Sequence, residues 1–365
     1  MVDMDNICYA DTRTGVLRKE KLKKKSILII LFSYMAINIF ANDTFFSLSG
    51  GNLVPVNEES VSIEMREETI TLDFQENFYE VTVDFTFYNS GDTATLSVGF
   101  PFFAPGNLGK GKIYDFKCWT NGEETSFEDI PIIWNSQTDK QLELQNAYTR
   151  KIRFNKKEVT TTKVKYKSSY SIDSNIEKNG MSHSHWDGYY LYGTGSSWKN
   201  SIGKIKLIII NNLHYGYLDI IRMGDSIWGE SIKDKLSKIN ENTYEAVFTN
   251  IEPNFTEIFY IYFENILSDS GPKCFPGYFP FIKQITNQEE LKWYKKDQLR
   301  IIRNAIYALH GYQFKSEDLK NLFIVVGEEW YPSYNERIKT GFSEESLSEI
   351  EKENIRIILE EENKR

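Results

Sequence analysis

A long alternation of apolar and polar residues sets the first limit on how this 365-residue chain folds. From Tyr79 to Phe87 every second residue is Tyr, Val or Phe, and Glu, Thr and Asp stand between them. Side chains of a β-strand point alternately to its two faces, so this pattern predicts a strand with one buried face. Residues 70–74 and 94–100 alternate in the same way across short polar breaks. The three segments predict a meander of antiparallel strands joined by tight turns.

Strand patterns continue along the chain until about residue 289. The apolar run Leu207–Ile210, with Ile205 before it, predicts a central strand buried on both faces, and residues 244–248 and 258–263 predict two more strands. A short helix is expected only near residues 232–236. Strands that follow one another without crossover helices favour a sandwich over a parallel α/β sheet. We therefore predict a mainly β N-terminal body, an antiparallel β-sandwich of one or two lobes, over residues 42–286.

The C-terminal segment has a helical period instead. Leu299, Ile302, Ile306 and Leu309 recur at the spacing of one helix face, and Gly311 follows where a helix takes a left-handed cap. His310 lies in the last turn, where it can face the negative end of the helix dipole. A second helical run follows and ends the chain. Residues 287–365 are thus predicted to form a small all-α domain, which makes the whole chain an α+β multidomain protein.

The same segment carries a family resemblance. Tyr307-Ala308-Leu309-His310-Gly311, followed downstream by Trp330, resembles the YARHG domain of exported bacterial proteins, with leucine in place of the arginine of its Tyr-Ala-Arg-His-Gly core. Residues 59–103 and 193–206 are similar to a β-rich family of exported bacterial proteins of unknown function that can carry this module. The resemblance implies an envelope location and association with the cell wall.

Two interpretations of the C-terminal residues stay open. Arg303, Tyr307 and His310 fall on one helix face, because they are four and three residues apart. With Trp330 and Tyr331 they would form a polar and aromatic binding face that suits sugar rings or peptide stems. In the alternative they hold a small domain together. Asn304, Gly311 and Phe314 are assigned to that structural role.

The N-terminus has the order of an export signal. A basic run at residues 18–25 precedes the apolar stretch Ile27–Phe40, and Ala41 ends that stretch. The apolar stretch is shorter than the roughly 20 residues that span a bilayer. We expect a leader at residues 1–41 with cleavage after Ala41, a translation start near Leu17, and a periplasmic, extracellular or cell-surface location. The alternative is an uncleaved N-terminal membrane anchor.

Charge and composition argue against several functions. A net charge of −9 argues against nucleic-acid binding, because the chain would repel phosphates. Gly106 to Lys112 has the spacing of a phosphate-binding loop, but Ile113 stands where Ser or Thr would bind magnesium. We predict no nucleotide, although the spacing is formally present.

Residues with metal-ligand or catalytic chemistry form no recognisable motif in this sequence. His183 and His185 alternate along the chain, but with only four histidines no metal site is predicted. No catalytic residues and no cofactor are predicted. Cys118 and Cys274 would remain after processing, as a disulfide or as two buried thiols.

The sequence therefore predicts an exported, non-catalytic protein of the cell envelope. Its C-terminal domain would bind peptidoglycan or another envelope component. One alternative is a structural or protein-interaction protein of the envelope that binds no polymer. The other is an envelope hydrolase.

Overall fold

The computed structural model describes residues 44–49, 52–55, 62–103, 113–131, 144–170, 185–225, 227–254, 257–266, 288–328, 330 and 332–365. These residues contain seventeen strands: β1 (Thr44–Ser49), β2 (Asn52–Pro55), β3 (Ile63–Phe74), β4 (Tyr79–Asn89), β5 (Ala94–Phe103), β6 (Ile113–Thr120), β7 (Glu123–Thr125), β8 (Glu128–Pro131), β9 (Leu144–Phe154), β10 (Val159–Ser168), β11 (His185–Leu191), β12 (Ile202–Asn211), β13 (Gly216–Gly224), β14 (Glu230–Ser231), β15 (Ser237–Lys238), β16 (Thr243–Ile251) and β17 (Ile258–Asn265). Four α-helices follow them: α1 (Lys296–Leu309), α2 (Glu317–Val326), α3 (Tyr334–Thr340) and α4 (Glu349–Asn363). Short 3-10 helices include Lys233–Lys235, at the predicted position, and Gln288–Trp293.

The described strands form three sheets. A large sheet has the order β15-β16-β12-β3-β4-β10-β6-β7, a second β2-β1-β5-β9-β8, and a small sheet β11-β17-β13-β14. The large sheet packs one face against both of the others. Phe100 of the second sheet lies 5.2 Å from Tyr166, and Phe263 of the small sheet lies 4.7 Å from Phe74, measured between ring centroids. The predicted mainly β body and C-terminal helices are confirmed, and two sandwich lobes share the large sheet.

β4 shows why the alternation predicts this packing. Val81, Val83 and Phe87 have no exposed surface, while the alternate residues Thr82, Asp84 and Thr86 stay partly exposed or exposed. Fully burying an apolar side chain of this size contributes about 1.5–3 kcal/mol. A shift of one residue along the neighbouring strand would expose the whole apolar set, so the alternation also fixes the register.

The predicted meander was wrong at its third strand. β3 and β4 pair, but β4 has β10 as its other neighbour, and β5 pairs with β1 and β9 in the second sheet. The crossing occurs at Asn89, whose side-chain amide donates to the carbonyl oxygens of Asp92 at 2.7 Å and Phe154 at 3.1 Å. These bonds tie the end of β4 to the opposite sheet. Residues 94–100 do form an alternating strand, as predicted. That strand faces the core from the second sheet and not from the sheet of β3 and β4.

β12 departs from its prediction in two ways. It is central, between β16 and β3, but within the predicted apolar run Ile205, Leu207 and Ile209 are fully buried, whereas Ile208 and Ile210 are half-buried. It is also parallel to β3, although most pairs are antiparallel as predicted. A parallel neighbour needs a long connection, and here the chain passes through both other sheets between β3 and β12. Local turn signals cannot reveal such a partner.

The helical domain packs directly onto the β body. Trp293 is 6% exposed and belongs to the core of the body, where its carbonyl oxygen accepts from the Tyr244 hydroxyl at 3.3 Å. The Gln298 side chain at the start of α1 donates to the carbonyl oxygen of Gly216 at 2.9 Å. The ring of Tyr217 stacks on that of Tyr294 at 4.5 Å. These contacts join the two parts through main-chain groups and aromatic packing.

Two lysines lie in this junction. Lys238 donates to the carbonyl oxygen of Lys292 at 2.6 Å, and Lys295 donates to that of Leu213. Burial, and for Lys238 also nearby Arg365, lowers the pKa of each ammonium group to about 8. A neutral amine can still donate to a carbonyl oxygen, so these bonds do not require the charge.

The lowered pKa values predict a junction that becomes more stable as the pH rises from about 8 to 10. In that interval the unfolded chain keeps the protons that the folded lysines have lost, so the free energy of unfolding increases. Above pH 10 the trend should reverse, because burial raises the pKa of Tyr244 and Tyr294 and folding then opposes their ionisation. Urea midpoints at pH 7.5, 8.5 and 9.5 measure the effect. Lys238→Met with Lys295→Met should abolish most of the rise, and a wild-type midpoint that falls over this range would contradict it.

Candidate functional site

The candidate site is built on α1. Leu299, Ile302 and Ile306 of the predicted stripe are at most 2% exposed, which buries this face of the helix against α4. The helix ends where predicted: Gly311 has a φ of +78°, and a Cβ atom there would lie 2.4 Å from the carbonyl oxygen of Arg337. Both the backbone angle and the close approach therefore require glycine.

Arg303 points toward α4 and forms an ion pair there. Its Nε lies 2.9 Å from Oε2 of Glu362, and the two side chains are only 19% and 12% exposed. The guanidinium also donates a second, longer bond to the same carboxylate at 3.4 Å. The arrangement joins the first and last helices of the domain.

His310 links the same two helices at their other ends. Its Nε2 lies 2.8 Å from Oε1 of Glu351, whose Oε2 accepts from the Ser348 backbone amide at 2.7 Å. Ser348 and Glu351 thus form a capping box at the start of α4. Burial alone would raise the pKa of Glu351, but the hydrogen bonds from His310 and Ser348 outweigh it and lower the pKa.

The remaining sequence-predicted residues lie in or beside a second, aromatic core. Trp330 is 6% exposed and packs near Phe323 and Tyr334, and Phe314 stacks on Phe323 at 5.2 Å. The side chain of Asn304 donates to the carbonyl oxygen of Arg300 at 2.7 Å within α1. Tyr331 lies outside the described residues.

Tyr307 has a different environment from its neighbours on α1. It is half-buried, and its ring centroid lies 5.8 Å from those of both Tyr312 and Phe342. The rings of Tyr312 and Phe342 are 5.2 Å apart, and Tyr312 is 37% exposed. We call Tyr307, Tyr312 and Phe342 the aromatic cluster. It combines ring packing with solvent-accessible surface, which the other sequence-predicted residues largely lack.

The structure thus separates the predicted binding residues. Of those that the structure describes, Arg303 and His310 reach α4, Trp330 lies in a core, and Tyr307 joins the aromatic cluster. Sequence analysis missed Tyr312 and Phe342 as site residues. Tyr312 could have been found, since it lies one residue after Gly311 in the recognised segment. Phe342 is distant in sequence and carries no local signal.

The histidines, the glycine-rich loop and the cysteines discussed from the sequence form no site among the described residues. No group of three or more His, Cys, Asp or Glu side chains that could hold a metal is found there. His185 instead stacks on Tyr262 at 5.1 Å, while His183 and the glycine-rich loop 106–112 lie outside that part of the chain. Cys118 is buried with its Sγ 3.2 Å from the Thr125 carbonyl oxygen, and Cys274 is outside it as well.

The protein has a β-sandwich body followed by a small helical domain. Comparison with known protein families identifies the helical domain. Residues 281–363 match the family model of the YARHG domain, so this resemblance is confirmed despite the leucine at position 309. YARHG domains are typical of exported proteins. None of the helices in the described residues is long and apolar enough to cross a membrane. The predicted signal and cleavage position lie outside those residues.

The solved structures that resemble more of the chain are distant from it in sequence. No curated protein matches the chain. A candidate nutrient-binding protein from Legionella pneumophila is 19% identical with a TM-score of 0.49, over 89% of this chain and 98% of that one. An M1 zinc metallopeptidase from Deinococcus radiodurans is 8% identical with a TM-score of 0.28, over 57% of this chain. The matched region spans 43% of that peptidase.

Proposed function

We propose that this chain is a non-catalytic binding protein of the envelope whose YARHG domain binds peptidoglycan through the aromatic cluster. The observation that supports the proposal is the packing of Tyr307, Tyr312 and Phe342, with Tyr312 37% exposed. Aromatic rings present apolar faces, and tyrosine adds a hydroxyl that can bond to a polar ligand. Such a surface suits both the sugar rings and the peptide stems of the wall.

Rigid support of the cluster also favours binding. Tyr307 is on α1, which the Arg303–Glu362 and His310–Glu351 contacts hold to α4. Tyr312 follows the glycine cap of that helix. A preorganised aromatic surface loses less conformational entropy on binding than a mobile one does. In this proposal Arg303 and His310 act as supports of the site and not as ligand contacts.

Co-sedimentation with purified peptidoglycan sacculi tests the proposal. We expect the purified protein to pellet with sacculi, and Tyr312→Ala and Phe342→Ala each to weaken binding about tenfold, the effect of losing one well-placed aromatic contact. The whole protein is needed, because Trp293 ties the helical domain to the core of the body. Val325→Ala is the matched control, since Val325 lies in the same domain and is also 37% exposed.

Two outcomes would count against the proposal. Wild-type protein that stays in the supernatant would exclude wall binding. Equal binding by the wild type, Tyr312→Ala and Phe342→Ala would remove the aromatic cluster from the site. Circular dichroism of each variant separates loss of binding from loss of fold.

The second candidate is a protein-interaction role, which the close joining of the two parts favours. Hydrogen bonds from the side chains of Gln298 and Lys238 to main-chain carbonyl oxygens fix the helical domain on the body, as expected of a domain that completes one folded unit. Crosslinking in cells would then recover a defined envelope protein, and sacculi would not be bound. If Tyr312→Ala removed that crosslink, the aromatic cluster would be the protein contact.

A further inference from the structure

Four consecutive main-chain carbonyl oxygens between the β body and the helical domain each accept a hydrogen bond from a side chain. These oxygens belong to Leu291, Lys292, Trp293 and Tyr294. Two donors come from the body: Lys238 bonds to the second oxygen at 2.6 Å, and the Tyr244 hydroxyl bonds to the third at 3.3 Å. The guanidinium of Arg365, just after α4, donates to the first oxygen at 2.9 Å and also to the fourth. We call the four oxygens and their three donors the carbonyl clasp.

The donors of the carbonyl clasp suit its position in the fold. Residues 288–293 form a 3-10 helix, and the last carbonyl oxygens of a helix have no partner within it and carry partial negative charge. Lys238 and Arg365 bring cations to this end, and charged donors form the stronger hydrogen bonds. The Arg365 side chain is only 13% exposed, and its guanidinium also bonds to Glu361 at 2.8 Å. The clasp is therefore an ordered contact of partly buried groups.

The same segment places its side chains in two different cores. Leu291 is 1% exposed and packs in the core between α1 and α4, whereas Trp293 belongs to the core of the body. Tyr307 and Phe342 of the aromatic cluster pack against the core that contains Leu291. A continuous series of packed side chains therefore runs from the body, through the clasp, to the aromatic cluster.

α4 links the carbonyl clasp to the aromatic cluster by a second route. Arg365 holds the end of this helix at the clasp, and Glu351 near its start bonds to His310. In the sequence His310 lies between Tyr307 and Tyr312. A shift of α4 at the clasp would therefore move the partner of a residue that stands between two rings of the cluster.

We propose that the carbonyl clasp is a conformational device that couples the β body to the aromatic cluster. While Lys238 and Tyr244 hold residues 291–294 on the body, α4 and the core beside it keep the cluster rigid. Release of the segment loosens α4 first and the packing of the cluster next. The consequence for the wall rests on the proposed function: a closed clasp favours binding of peptidoglycan, and bound peptidoglycan then favours the closed clasp by the same factor.

Hydrogen–deuterium exchange of the whole protein, followed by mass spectrometry, tests the coupling without any ligand. Lys238→Met opens the clasp from the body, because methionine cannot donate to the Lys292 carbonyl oxygen. We expect the amides of α4 to exchange about tenfold faster, while those of β4 keep their wild-type rates. Lys235→Met is the matched control, since it removes the same charge three positions away from a side chain that pairs with Glu230 at 3.7 Å. It should leave the exchange of α4 unchanged.

Three results would overturn the proposal. The first is wild-type exchange of α4 in Lys238→Met. The second is equal acceleration in α4 and β4, because the variant would then destabilise the whole chain and not the connection between its parts. The third concerns Arg365→Met, which opens the clasp from α4. Combined with Lys238→Met it should exchange no faster than the faster single variant, and additive accelerations would mean that the two residues act independently.

Co-sedimentation with sacculi separates failure of this proposal from failure of the proposed function. If the wild type binds sacculi, Lys238→Met should weaken binding about threefold, although Lys238 lies on β15 and not in the aromatic cluster. Wild-type affinity in a variant whose α4 exchanges faster would overturn the coupling and leave wall binding in place. If the wild type stays in the supernatant, wall binding fails, and the exchange rates alone decide whether the clasp couples the two parts.

Discussion

Replacing Trp293 with alanine is expected to lower the free energy of unfolding by about 3–5 kcal/mol, the usual range for removing a buried tryptophan. The ring is 6% exposed, lies 5.5 Å from that of Tyr244, and has the ammonium group of Lys233 4.9 Å above it. Although Trp293 precedes the first α-helix of the helical domain, it belongs to the core of the β body. Its loss should therefore weaken the attachment of the whole C-terminal domain.

Urea unfolding followed by circular dichroism measures the change, and limited proteolysis shows whether the chain near Trp293 becomes accessible. Trp228→Ala is the control, because Trp228 is 74% exposed and its removal should change stability by no more than about 0.5 kcal/mol. Similar losses in the two variants would mean that Trp293 does not attach the domain. A second probe of the same transition shows whether the domain separates before the body unfolds.

Arg303→Met is expected to destabilise the protein by about 2 kcal/mol. Breaking a fully buried ion pair costs about 3–5 kcal/mol, and the value is lower here because Arg303 and Glu362 keep 19% and 12% of their side-chain surface exposed. The loss arises mainly from leaving the Glu362 carboxylate without its guanidinium. Thermal unfolding of the single variants and of the double variant measures the coupling.

The double variant Arg303→Met with Glu362→Met distinguishes the two interpretations of Arg303. Replacing both partners by apolar side chains should recover most of the stability, since no buried charge is left unpaired. If Arg303 is structural, this variant also binds sacculi as the wild type does. If the double variant has wild-type stability but no longer binds sacculi, Arg303 is instead a ligand contact.

Several features of the fold could be predicted from sequence because they depend on local periodicity. The alternation in β4 predicted the buried face, and the stripe on α1 with Gly311 predicted a helix and its end. The partners of the strands could not be predicted in the same way. β5 leaves the expected meander for the opposite sheet, to which the Asn89 side chain bonds, and β3 pairs in parallel with β12, a strand far along the sequence, with Glu67 opposite Lys204.

The candidate site shows the same division. The resemblance singled out the segment with Arg303, Tyr307 and His310 and spacing placed them on one helix face, but spacing does not indicate what each side chain contacts. Glu362 and Glu351 on α4 engage Arg303 and His310, and Phe342 and Tyr312 join Tyr307.

The sequence by itself determined the mainly β body, the helical C-terminal domain and the resemblance that its Tyr-Ala-Leu-His-Gly segment carries. Those properties depend on residues close together in the chain, whose hydrophobic period and turn chemistry are visible without a structure. Only the tertiary structure decided which strands pair, which residues of α1 are supports, and where aromatic rings reach the surface. These depend on contacts between residues far apart in sequence, which form only when the buried faces pack against each other.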